Sequence, residues 1–112
     1  MSENEILKSV NDYLYNLKEG IKSVSELIQS GKEYEAVNLI VKVSDGLEWI
    51  NEALNCTKDY NLNNLNLNEI NGFIGEICEA LENEDFILVS DLFNYEIIPI
   101  LEKLHDSIRK CV

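Results

Sequence analysis

The chain has 112 residues, 46% of them hydrophobic, and carries 21 acidic against 9 basic side chains for a formal charge of −12. That length makes one domain, residues 1–112, with a core large enough to need no disulfide or metal staple. The acidity repels phosphate backbones and anionic lipid, so no nucleic-acid partner and no membrane partner is expected.

Ser2 with Glu5 three residues on is a capping-box start. Ile6, Val10, Leu14, Leu17, Ile21, Val24 and Ile28 then recur at helical spacing and predict one long amphipathic helix that stops at Ser30-Gly31. A second helix is expected from Lys32 to Cys56 on the stripe Ala36, Ile40, Val43, Leu47, Ile50 and Leu54, with Gly46 allowing a close helix contact. Residues 57–67 are rich in Asn and break the pattern. They read as a long connection whose Leu62, Leu65 and Leu67 pack over the core. A shorter third helix follows on Ile70, Phe73, Ile74, Ile77 and Leu81, capped by Asn66 or Asn68. Cys78 falls beside these positions and reads as a buried small hydrophobe.

The fourth helix starts after the acidic joint Glu82–Asp85. Its stripe is Phe86, Val89, Phe93, Ile97, Ile100 and Leu104, and Pro99 should kink it by removing the bond to the Tyr95 carbonyl. The expected fold is therefore all-α: an antiparallel four-helix bundle of two hairpins joined by the long connection, with the last helix kinked at Pro99.

Little in the chain points to catalysis. One histidine and scattered serines make no triad, and Gly72-Phe73-Ile74-Gly75 lacks the lysine of a phosphate loop. Cys56, Cys78 and Cys111 form no Cys-x-x-Cys pair and leave an odd thiol, as in a reduced cytoplasmic protein. The acidic start Met1–Glu5 is unlike an export signal, and no apolar run approaches the ~20 residues of a membrane span. Glu102 and His105 have the Glu-x-x-His spacing of di-metal bundles. One such pair completes no site within a monomer, so His105 reads as solvated near a helix end, and no metal or cofactor is expected.

Two apolar features stand outside the stripes. On the fourth helix these are Leu88, Leu92 and Tyr95 on one flank and Ile87 and Ile98 on the other. They are either buried centrally or a surface for a partner. Trp49 lies about 160° from the Leu47 face at about 100° per residue, among polar neighbours. It is either covered by the connection or the last helix, or an anchor for a partner.

With the four stripes, the segment Asp91-Leu92-Phe93-Asn94-Tyr95-Glu96-Ile97-Ile98-Pro99-Ile100-Leu101 resembles small acidic all-helical proteins of low-GC bacteria that have no assigned function. That resemblance implies a fold and no activity. The expectation is a cytoplasmic, non-enzymatic protein that acts through protein–protein contact, as a homodimer or adaptor. Its contact residues would be Leu88, Leu92, Tyr95, Ile98 and Trp49. The alternatives are a binder of a client helix, by analogy with flagellar export chaperones, and a metal- or ligand-binding bundle using Glu102 and His105.

Overall fold

A computed structural model describes residues 2–56 and 68–112. The expected connection, with Leu62, Leu65 and Leu67 and the cap Asn66, lies outside the described residues. The described residues are helical, with no strand among them, in four rods. These are α1 (Glu3–Gln29), α2 (Glu33–Asn55), α3 (Asn68–Glu82) and a last rod built of three pieces. The pieces are α4 (Phe86–Asp91), a π-helical segment (Leu92–Ile97) and α5 (Ile98–Arg109).

The helix ends follow local chemistry. The Ser2 hydroxyl accepts from the Glu5 N–H at 3.2 Å, and Asp85 does the same for Leu88 at 3.2 Å. Each satisfies a backbone donor that a helix start leaves unpaired. Gly31 ends α1 with φ of 75°, the left-handed conformation that glycine adopts without a Cβ clash.

At about 1.5 Å per residue, α1 is roughly 40 Å long. That is close to the 43 Å long dimension of the molecule. Helix α1 packs along α2 and also against α4, the π segment and α5, while α3 packs on α4 and the π segment. Its buried Leu7, Val10, Leu14, Leu17, Ile21 and Val24 therefore meet side chains from both α2 and the last rod.

The last rod departs from the expected geometry. Val89, Phe93, Ile97 and Leu101 are all fully buried, at four-residue steps. In an unbroken α-helix at about 100° per residue, three such steps carry a side chain roughly 120° around the rod. The π segment takes up that drift, because each of its turns holds more residues. The Ile98 N–H accordingly donates to the Phe93 carbonyl, five residues back. The distortion expected at Pro99 thus takes the form of a wide turn just upstream. Pro99 itself stands exposed in the first turn of α5, where its missing N–H is tolerated. The register beyond the π segment also moves by one residue: Leu101 is core, and Ile100 is only half-buried.

Cys78 is exposed, which corrects the sequence reading. The buried positions of α3 are Ile70, Ile77 and Ala80. One residue past Ile77 is about 100° off that face and points outward.

The burial pattern makes Phe93 a keystone and Tyr34, on the outside of α2, dispensable. Phe93→Ala should lower unfolding free energy by about 3–5 kcal/mol, and Tyr34→Ala should stay within about 0.5 kcal/mol of the parent. Urea unfolding followed by circular dichroism measures both, and similar losses for the two would contradict the assignment.

Candidate functional site

Three features stand out where the helices meet solvent or one another. The first is the outer face of the last rod. Ile87 is 76%, Leu88 42% and Tyr95 73% exposed, all within three turns of one helix. Ile98 is half-buried at the end of this stretch and packs against the core. Leu92, expected on the same face, is instead buried. The wide π turn brings it inward together with Phe93, so it serves the core and is not offered to a partner. The five apolar side chains outside the expected stripe therefore divide: one is core, one straddles the boundary, and three face water.

The second feature lies on α2. Trp49 is 42% exposed, and its ring meets Tyr13 of α1 edge to face, with centroids 5.3 Å apart and planes at 88°. Among the described residues, the ring packed on Trp49 is thus a side chain of α1, and the expected cover by the connection lies outside the described residues. Gly46 makes this arrangement possible. A Cβ on Gly46 would sit 2.2 Å from the Tyr13 hydroxyl, so the missing side chain leaves the space into which the phenol projects. Tyr13, Lys42, Asp45, Gly46 and Trp49 line an open groove of about 420 Å³ here.

The third is the seam between α1 and the last rod. Ser90 donates to the buried Ser25 hydroxyl at 2.9 Å, and the Asn94 amide donates to the same oxygen at 3.0 Å. This small network crosses from α1 to the π segment and fixes their register. Nearby, His105 is fully buried, which corrects the expectation of a solvated histidine. The downstream register shift turns it inward beside Leu104. Tyr15 covers it edge to face at 4.2 Å, and Arg109 donates to the Tyr15 hydroxyl at 3.4 Å. Arg109 also pairs with Asp106, and Lys18 lies 5.6 Å above the Tyr15 ring. Neither imidazole nitrogen has a hydrogen-bond partner, nor does the buried Asn11 side-chain oxygen. Burial first, then the positive charges of Lys18 and Arg109, lower the His105 pKa, against smaller opposing effects of Asp106 and of the Asn11 backbone. The imidazole is therefore neutral at pH 7.

Glu102 lies on the other, solvent side of Tyr15 and Lys18 from the buried imidazole. It is exposed and lines a separate groove of about 430 Å³ with Tyr15, Lys18, Glu19, Lys22, Asn94 and Ile98. Among the described residues, no group of three or more His, Cys, Asp or Glu side chains is placed to hold a metal ion. No described helix is long and apolar enough to cross a membrane.

The sequence is matched over residues 5–107 by the family model described as "Domain of unknown function (DUF8042)". The chain belongs to that family. The DUF8042 match reaches into all four rods and takes in the Tyr13–Trp49 groove and the whole π segment. The expectation of a family without an assigned function therefore holds. No curated protein and no solved structure matches the chain.

The seam generates a pH prediction. A base whose pKa is lowered on folding stabilises the fold fully above its unfolded pKa, and that contribution is lost as pH falls. For His105 the loss begins near 6.5 and continues down to the lowered native value. His105→Leu should raise stability at pH 7 by about 1 kcal/mol, since it removes two unpaired buried nitrogens. Its advantage over the parent should widen as pH drops below 6.5. Thermal unfolding from pH 8 to 5 tests this, and a constant difference across that range would show that His105 does not titrate with folding.

Proposed function

We propose that the four rods form an antiparallel bundle of two hairpins, and that the protein works in the cytoplasm by protein–protein contact without catalysis. The contact face is the outer side of the last rod, centred on Leu88 and Tyr95, with Ile87 and the half-buried Ile98 as its flanks. The observation that carries this reading is the exposure of three large apolar side chains on one helix, Ile87 and Tyr95 at about three-quarters each. Aromatic and large aliphatic groups of this kind supply most of the energy of protein interfaces.

A second copy of the chain is the simplest partner. A two-fold dimer needs only one self-complementary patch. Two molecules of charge −12 repel, so the seam must be apolar, and this face carries only Asp91 and Glu96 among its apolar residues. Salt screens that repulsion and should strengthen the dimer.

Leu88→Glu and Tyr95→Glu should each keep full helicity and halve the mass measured by sedimentation velocity. Leu92→Glu, at a core position, should unfold the chain instead. Loss of helicity in all three variants would show that the face belongs to the core. An unchanged dimer in the first two would place the interface elsewhere.

A further inference from the structure

We propose that a second copy of the chain docks with its last rod parallel to the first, about a two-fold axis running along the rods, with Lys22 of each copy facing Glu96 of the other. This rests on the dimer reading above and gives that dimer its direction. The two sides of the apolar face differ in charge. On one side, the Ser90 hydroxyl and the Asn94 amide reach the Ser25 hydroxyl of α1. Asn94 and Ile98 share a groove there with Lys18 and Lys22 of α1. Leu88 and Glu96 each stand two residues from Ser90 and Asn94, which at about 100° per residue turns them to the opposite side. The neighbour on that side is α3, which packs on α4 and the π segment. From Asn68 to Glu102 the chain holds no Lys, Arg or His. Helix α3 and this stretch of the last rod therefore bring only negative charge to that side, with Glu76, Glu79, Glu82 and Glu96 all exposed.

Symmetry decides which sides meet. With the two-fold axis across the rods, the last rods of the two copies run antiparallel and each side meets itself. The acids of the α3 side then face the same acids, and like charges set opposite one another disfavour docking. With the axis along the rods, the two sides exchange and equal heights meet. Lys22 lines the groove at the height of Asn94 and Ile98, and Glu96 lies between those two in the rod. Each Lys22 then comes opposite Glu96 of the other copy, and the axis makes this pairing twice. Both side chains are exposed, and among the described residues the ion pair is Arg109–Asp106, which leaves Lys22 and Glu96 free to pair between copies. The same axis sets Ile87 on Ile87 and Tyr95 on Tyr95, so the apolar seam is kept. Asp91 falls midway between Ile87 and Tyr95 and meets its own copy in either arrangement, so its charge does not choose between them.

Sedimentation velocity and double electron–electron resonance separate the outcomes. A nitroxide is attached to Lys110→Cys, at the exposed end of α5, in a chain carrying Cys56→Ser, Cys78→Ser and Cys111→Ser. At about 1.5 Å per residue, Lys110 lies roughly 28 Å along the rod from Asp91. Parallel rods should hold the two labels about 30 Å apart or less, and antiparallel rods more than about 50 Å. Lys22→Glu should weaken the parent dimer roughly five-fold with unchanged circular dichroism, since it reverses two cross-seam pairs. Adding Glu96→Lys should restore the affinity. Adding Glu35→Lys instead, on exposed α2, returns the same net charge and should not. A dimer with labels beyond about 50 Å would overturn the parallel arrangement and leave the dimer standing. Equal rescue by Glu96→Lys and Glu35→Lys would overturn the pairing. A parent chain that sediments as a monomer at millimolar concentration would overturn the dimer and its direction together.

Discussion

The last rod has to keep side chains spaced by four residues against one neighbour, and that requirement shapes most of the molecule. Val89, Phe93, Ile97 and Leu101 are all fully buried. A regular α-helix would spread them around its circumference. The π segment Leu92–Ile97 resolves the mismatch by widening the turn. Pro99 fits the same solution, since it cannot donate the N–H that would tighten the next turn. The Ser25–Ser90–Asn94 network lies at this place and ties the π segment to α1. Its members are short polar groups at a helix seam, paired with one another, and so avoid the cost of unpaired burial.

Consequences spread in both directions from that turn. Inward, it draws Leu92 into the core and rotates α5 so that Leu101, Leu104, His105 and Ile108 face α1. His105 thereby becomes a buried imidazole without a hydrogen-bond partner, roofed by Tyr15. Outward, Ile87, Leu88 and Tyr95 stand in water. A hydrophobic surplus on this rod cannot all be buried by α1 and α3, and what remains forms a surface.

The helices themselves were legible because their signals are local. Ser2, Gly31 and the stripes of α1 and α2 follow from capping chemistry and from a period near 3.6, and the observed ends of α1 and α2 lie within a residue of those expected. The π segment was written in the sequence as the run Val89, Phe93, Ile97, and was missed because a straight α period was assumed beyond it. That assumption placed Ile100 instead of Leu101 in the core and left His105 in solvent. Cys78 was misplaced for a simpler reason: its neighbours in sequence are core residues, and adjacency along a helix is not a shared face. The Tyr13–Trp49 contact, the Gly46 gap and the Ser25 network join residues from different helices. Pairings of that kind depend on how the rods dock, which no single-helix periodicity encodes. Of the five side chains marked as contacts from sequence, Leu88, Tyr95 and Trp49 stand exposed, Ile98 is half-buried and Leu92 is core.

The two surfaces are chemically distinct. The last rod offers aliphatic side chains and a tyrosine, suited to an extended dry seam. The Tyr13–Trp49 groove on α2 is small, aromatic and bordered by acids. The proposed dimer forms through the first, whose apolar face is then a self-interface. It is tested most directly by NMR on a mixture of isotope-labelled and unlabelled protein, filtered for contacts between molecules. Intermolecular nuclear Overhauser effects are expected, confined to the methyl groups of Ile87, Leu88 and Ile98 and the ring of Tyr95. Their absence at millimolar concentration, with the relaxation times of a monomer, would contradict it.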